Sequence, residues 1–353
     1  MSAPSLPPDP EWHERYSRQI LLPEIGGHGQ QRLNLSTVGI VADATGTILL
    51  PTLLYLAAAG VGHLRVTDHH PEPLAPILDW AKANNPTVRI ETAPLFPDPA
   101  HLSPWLRGLD LLLDLDHAWP QLQAACLNQR LPLLTTWIGP EGRGWITGSR
   151  AGSATDLPCL ACPAPTGSIL PTPAHPPPQP EHTLEAPWDT LWHGLAGTLL
   201  ATETLKSLLG LDDPSIWTHA LSLDPALGDF QRLPRARNPA CPLCARSDDR
   251  ATPPATTNAT TPTRSDNAQT NATDLDTLDI SADHCPMTFV RVKLKLETLQ
   301  PGQSLRVRLS GGEPLVNVPR TLREQGHRVS EPWEEEGHAG LFGLMVHKND
   351  PTK

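Results

Sequence analysis

Most of the chemistry open to this 353-residue chain lies in its six cysteines. Four of them form two C-x-x-C pairs, Cys159-Leu-Ala-Cys162 and Cys241-Pro-Leu-Cys244. In a reducing compartment such pairs read as a four-thiolate zinc site, the competing reading being two unrelated redox or incidental pairs. The pairs lie farther apart than in a zinc ribbon, so the metal would clip two distant segments together. Four thiolates leave no open position for a substrate, which predicts a structural role. Cys126 sits mid-helix among apolar residues and reads as a packed core thiol. Cys285 is different, because it precedes Pro286 at the start of a stretch that reads as a helix. Unpaired amides and the helix dipole would stabilise a thiolate there. A strand competes, since residues 290–296 alternate with period two; the helix is preferred because Phe289, Val292, Leu296 and Leu299 share one helical face. Asp283 and His284 stand beside the thiol and could tune it.

The remaining candidates are acids and histidines at strand ends. Asp68 and Asp116 each follow an apolar run, with His69, His70 and His117 beside them. A second metal among these groups competes with the plainer reading of solvated loop histidines. Serine hydrolase chemistry has no G-x-S-x-G support.

These residues need a scaffold, and residues 35–70 supply its centre. Residues 37–41 read as a buried strand, 51–59 as a helix with Pro51 near its first turn and Gly60 past its end, and 63–67 as a second strand. This is a strand–turn–helix–strand unit of the dinucleotide-binding kind, with Asp68 where a ribose would sit. The turn departs from that pattern. Where G-x-G-x-x-G should stand, the chain has Ala42-Asp-Ala-Thr-Gly-Thr-Ile48, with Gly46 alone and Asp43 placing a negative charge where an anion should dock. Further helices are predicted at 11–22, 74–83 and 119–128, and further strands at 88–92, 110–116 and 131–137. Residues 189–210 read as a long helix stopped by Gly210, and 216–223 as a strand. This alternation predicts an α/β, doubly wound, mostly parallel Rossmann-like sheet with structural zinc, followed by a small two-layer α/β domain.

The expected organisation is a leader at 1–10, a large domain at 11–245 with a proline-rich loop at 163–187, a flexible linker at 246–275 and the small domain at 276–350. The linker is Thr-, Asn-, Ala- and Asp-rich and too poor in aliphatic residues to bury a core. A net charge of −11 without a basic run argues against nucleic acid as a main partner. No apolar stretch reaches the roughly 18 residues of a membrane span, and the N-terminus does not read as a signal peptide, so a cytoplasmic protein is expected.

Several segments together resemble the ThiF/MoeB/HesA family, bacterial relatives of ubiquitin-activating enzymes. They are Arg15-Tyr-Ser-Arg-Gln-Ile-Leu-Leu-Pro-Glu-Ile-Gly26, Tyr55-Leu-Ala-Ala-Ala-Gly-Val-Gly62, the first cysteine pair, and Arg237-Asn-Pro-Ala-Cys-Pro-Leu-Cys244. The resemblance implies adenylation of a ubiquitin-like sulfur carrier with ATP and magnesium, a homodimer, and one zinc held by the two cysteine pairs. It also implies that Arg18 reaches the neighbouring subunit's nucleotide, that Asp68 and Gly46 lie by the nucleotide, and that Asp116 matches the magnesium-binding acid. The chain departs from the family at the glycine turn, at His70 in place of a second acid, and at the phosphate-binding lysine, which has no counterpart near 74–78. Without the amide cradle and the lysine to hold a triphosphate, adenylation is expected to be negligible.

The tail is similar to TusA/SirA-type sulfur carriers through Leu278-Asp-Ile-Ser-Ala-Asp-His-Cys-Pro-Met287, Leu299-Gln-Pro-Gly-Gln-Ser-Leu305 and Glu324-Gln-Gly-His-Arg-Val329. That resemblance implies a persulfide on Cys285, with Thr288 in place of the second proline of C-P-x-P. The expected function is sulfur relay, with the large domain docking a sulfur-carrier or sulfur-donor protein. An active adenylyltransferase, or a non-catalytic partner of an intact paralogue, are the alternatives.

Overall fold

Strands that are apolar without alternation are buried on both faces, which requires helices above and below the sheet. The structure, a computed structural model, describes residues 9–43, 46–68, 71–94, 99–115, 119–138, 143–150, 157–162, 187–211, 216–224, 227–241, 243–244 and 276–349. The chain divides into two compact units, residues 32–254 and residues 1–31 with 255–353. The expected linker at 246–275 and residues 163–186 of the proline-rich loop lie outside the described residues.

The larger unit is built on an eight-stranded sheet. Its strands are β1 (Thr37–Val41), β2 (His63–Asp68), β3 (Arg89–Pro94), β4 (Leu111–Asp114), β5 (Leu133–Ile138), β6 (Gly144–Ser149), β7 (His219–Asp224) and β8 (Asp229–Pro234). They lie in the order β3-β2-β1-β4-β5-β6-β7-β8. The first five are parallel and the last three antiparallel. Strand order reverses on either side of β1, so the edge beyond its C-terminal end is a topological switch point, the usual place for a ligand in such sheets. Val41 pairs with both Thr67 and Asp114, so the 42–48 turn, the end of β2 and Asp114 share that edge.

Around the sheet run α3 (Leu49–Ala59), α4 (Pro71–Asn84), α5 (Pro99–Leu106), α6 (Trp119–Gln129) and α7 (Pro187–Leu209). The apolar faces of α3, α4 and α7 form one large core with β1, β2 and β4, including Leu49, Leu53, Leu56, Trp192, Leu200 and Trp217, and α5 and α6 form a second one with Leu112 and Leu133. α3 ends at Gly60 in the left-handed region, φ 82°, where a Cβ would be strained. β6 and β8 were not anticipated. Gly144 and Gly148 weaken the strand signal of β6, yet both are needed: a Cβ at Gly144 would meet the Trp192 ring at 2.1 Å, and one at Gly148 would meet Leu134 and Trp217.

The smaller unit holds β9 (Thr277–Asp279), α8 (Met287–Thr298), β10 (Ser304–Ser310), α9 (Glu313–Glu324), β11 (Arg328–Val329), β12 (Trp333–Glu334) and β13 (Leu341–His347). The sheet order is β11-β13-β10-β9, with β12 also on β13. Leu305, Val307 and Leu309 of β10 meet Val292 and Leu296 of α8 and Val318 and Leu322 of α9, which makes two layers. The helix reading of 287–298 holds, and the misleading alternation has a physical origin. Val292 and Leu296 face the sheet, while Val290 and Leu294, half a turn away, pack on Trp12, Tyr16 and Ile20 of α1 (Pro10–Ile20). A helix buried on opposite sides shows apolar residues at every second position.

The α1 helix therefore belongs to the smaller unit. It starts at Pro10, one residue before the expected position, with the Asp9 carboxylate accepting the Glu11 amide. Gly26 opens another helix, α2 (Gly26–Leu35). Two side chains of α8 complete this corner. Lys293 donates to the Leu21 and Leu22 carbonyls at the end of α1, and Glu297 accepts the Gly27 and His28 amides at the start of α2. Trp12 is 8% exposed and central to the α1–α8 contact. Trp12→Ala should destabilise the smaller unit by about 3 kcal/mol, and hydrogen exchange should speed up in both 10–22 and 287–296. Unchanged exchange in 287–296 would contradict the coupling.

Candidate functional site

Three places carry the predicted chemistry, and the described geometry differs at each. The four paired cysteines come together as expected. Cys159, Cys162, Cys241 and Cys244 are all buried, with their sulfurs within 4.8 Å of one another. Individual separations are 3.9 Å for Cys159–Cys162 and 3.6 Å for both Cys159–Cys241 and Cys162–Cys244. A tetrahedral ion with metal–sulfur bonds of about 2.3 Å has sulfur–sulfur edges of about 3.8 Å, so the cluster fits a metal such as zinc.

Each knuckle is held from behind. The Leu160 amide donates to Oε1 of the buried Gln123, and the Asn238 amide donates to the Cys162 sulfur at 3.4 Å. Arg237 donates to the Cys244 carbonyl and Arg235 to the Cys159 carbonyl. The hydrogen bond from Cys159, with the Asn238 amide adding to it, holds the Cys162 thiol down, while Cys159 itself is raised. Gln123 and Arg235 give no sign in the sequence, because neither belongs to a recognisable string.

At the switch point, the turn after β1 folds back onto the helix it precedes. Asp43 is 7% exposed, and its carboxylate accepts the amides of Thr47 and Leu49 at 3.0 Å, with Ile48 at 3.4 Å. The start of α3 thus has its amides capped by a carboxylate of the same chain. Gly46 adopts φ +69°, and a Cβ there would stand 2.9 Å from Ile77 and 3.1 Å from Leu74 of α4. Its role is to let the turn close against α4. The Thr47 hydroxyl lies 2.7 Å from His193 Nδ1 on α7.

Asp68 is the last residue of β2, paired across from Pro94, and only its backbone is described. Asp116, His69, His70 and His117 lie outside the described residues. The acid that the sheet does place at this edge is Asp114, which is fully buried and in register with Val41 and Thr135. Its signal in the sequence is the D-L-D of 114–116, where the family resemblance points to the second acid rather than the first. Arg18 is exposed in the last turn of α1, in the smaller unit.

Cys285 is exposed and stands two residues before α8. The amides expected to cradle its thiolate are turned elsewhere. Met287 and Thr288 donate to the His284 carbonyl, and Phe289 and Val290 to the Pro286 carbonyl. Asp283 is engaged with Arg291 at 2.6 Å, and His284 is exposed. Cys126 is buried as expected; burial, with the Asp114 charge adding to it, pushes its thiol up to about 12.

Comparison with known proteins fits this division. Residues 276–344 match the family model "Sulfurtransferase TusA". Over 254 residues the chain is 30% identical to a sulfur carrier protein adenylyltransferase of Thermus thermophilus, covering 65% of this chain and 90% of that one. It is 32% identical over 256 residues to bovine MOCS3, an adenylyltransferase and sulfurtransferase, with 65% of this chain and 52% of that one covered. The crystal structure of E. coli MccB with ATP shares the fold at a TM-score of 0.51 and 16% identity, over 67% of this chain and 76% of that one.

Two outcomes follow from this geometry. Elemental analysis should find one tightly held metal ion per chain, and Cys241→Ser should release it and lower the melting temperature. Alkylation of the native protein at pH 8 should label Cys285 and spare Cys126, since a thiol raised to about 12 is almost wholly protonated there. Labelling of Cys126 at a rate comparable to Cys285 would contradict that burial.

Proposed function

The chain belongs to the ThiF/MoeB/HesA family of sulfur-carrier adenylyltransferases and ends in a TusA domain, and from that premise we propose that it is a sulfur-relay protein whose Cys285 carries the sulfur. In this reading the larger domain docks a sulfur-carrier or sulfur-donor protein without adenylating it. The observation that carries the second half is Asp43. A phosphate at the switch point would use the amides that start α3, and those amides already hold the Asp43 carboxylate. Two like unit charges about 4 Å apart repel by about 4 kcal/mol at an effective dielectric constant of 20. A nucleotide would have to expel the carboxylate and then bind beside it. In this reading the Asp43 carboxylate keeps ATP with magnesium out of the turn.

The first half rests on the TusA match and on the exposure of Cys285. The transfer needs no outside oxidant. The Cys285 thiolate attacks the terminal sulfur of a donor persulfide, a new sulfur–sulfur bond forms, and the donor's own sulfur–sulfur bond breaks. The donor leaves as a thiolate and takes up a proton from water. The Asp283–Arg291 pair fixes the approach to Cys285 by tying the preceding turn to the second turn of α8.

The four-cysteine cluster is assigned to zinc with a structural role, holding residues 157–162 to residues 235–244. A homodimer belongs to the same proposal, as does a cytoplasmic location. Among the described residues, no helix is long and apolar enough to cross a membrane.

Incubation with a persulfide donor such as a cysteine desulfurase, followed by intact mass, should show one added sulfur on the wild type and none on Cys285→Ala. Carrier-dependent ATP–pyrophosphate exchange should stay at background. Exchange above background would replace this reading with active adenylation, which the similarity to the Thermus enzyme favours. Absence of the added sulfur would remove the role of Cys285.

A further inference from the structure

A buried guanidinium needs a negative charge, and Arg235 has no carboxylate. It follows β8 directly, with its amide bonded to the Thr218 carbonyl, and it is 5% exposed. Its side chain donates to three neutral oxygens: Nη2 to the Cys159 carbonyl at 2.6 Å, and Nη1 to Thr147 Oγ1 at 2.7 Å and to the Gly148 carbonyl at 2.9 Å. Nε is buried with no hydrogen-bond partner. Among the described residues no acid forms an ion pair with it. Isolating a cation in this way costs several kcal/mol unless a counter-charge lies near.

A divalent ion bound by four thiolates leaves a net charge of about −2. That cluster is buried too, and it lies beyond the very carbonyl that Arg235 grips. Each site therefore has the charge the other lacks. We propose that Arg235 is the counter-ion and positioning residue of the metal–thiolate cluster, binding the sheet at Thr147 and Gly148 to the first cysteine knuckle and neutralising part of the cluster's charge. This rests on the metal-site reading, so the wild-type chain must first be shown to hold its one metal ion; failure there removes the site and not merely the role of Arg235.

The account separates charge from shape. Lysine keeps the charge and loses the fork, glutamine keeps donors and loses the charge, and Thr147→Val removes one of the three acceptors together with the hydroxyl's own bond to the His219 carbonyl. Metal retention of the full chain would be measured by competition with a chromogenic chelator. Arg235→Gln should give up its metal at least about tenfold more readily, the scale found for partners that support metal ligands. Arg235→Lys and Thr147→Val should stay within about threefold of the wild type, on the same scale. With cobalt(II) in place of the native ion, the sulfur-to-metal charge-transfer band should move to lower energy in Arg235→Gln and stay in place in Arg235→Lys. The proposal is overturned if Arg235→Gln retains metal like the wild type, or if Arg235→Lys loses it as readily as Arg235→Gln. Should Arg235→Gln not fold, the lysine variant decides alone: retained metal supports the counter-ion, and lost metal refutes it.

Discussion

The amides that open α3 set the terms for everything at the sheet's switch point. A helix start leaves backbone donors without intrahelical partners, and they must be met by solvent, by a ligand or by the chain itself. Here Asp43 meets them, and it is able to do so because the turn after β1 carries only one glycine, Gly46, at the position where φ is positive. Leu74 and Ile77 of α4 then close against that glycine. The described part of the turn is thereby tied to the helix that follows it.

A second constraint runs through α8. One side of this helix closes the core of the small sheet, and the other receives α1. The two charged side chains flanking the α1 contact, Lys293 and Glu297, are placed one turn apart so that one meets the carbonyls leaving α1 and the other the amides entering α2. Each has the sign that the corresponding helix end requires. The helix that leads away from Cys285 is thereby fixed on two sides, whereas Cys285 itself remains exposed.

The cysteine cluster does a comparable job in the larger unit. It joins the chain before α7 to the chain after β8, and Gln123, Arg235 and Arg237 fasten both knuckles to their surroundings. A small loop-rich segment with few aliphatic side chains gains little from hydrophobic burial, so hydrogen bonding carries load there that packing carries elsewhere, and the proposed metal would add to it.

Much was legible from residues alone. The two C-x-x-C pairs named their own partners because thiolate chemistry depends on residue type and close spacing. The alternation of buried strands and amphipathic helices fixed the α/β class. Other features waited on tertiary contacts. β6 was hidden by glycines whose purpose is to admit Trp192 and Trp217, and the α8 pattern imitated a strand because two different partners cover it. The amides near Cys285 could not be assigned without knowing that the His284 and Pro286 carbonyls take them. Residue types and short spacings thus determined which chemistry was available. Only the folded chain decided which polar groups were already satisfied, because a hydrogen bond or a counter-charge is supplied by whatever segment the fold brings alongside.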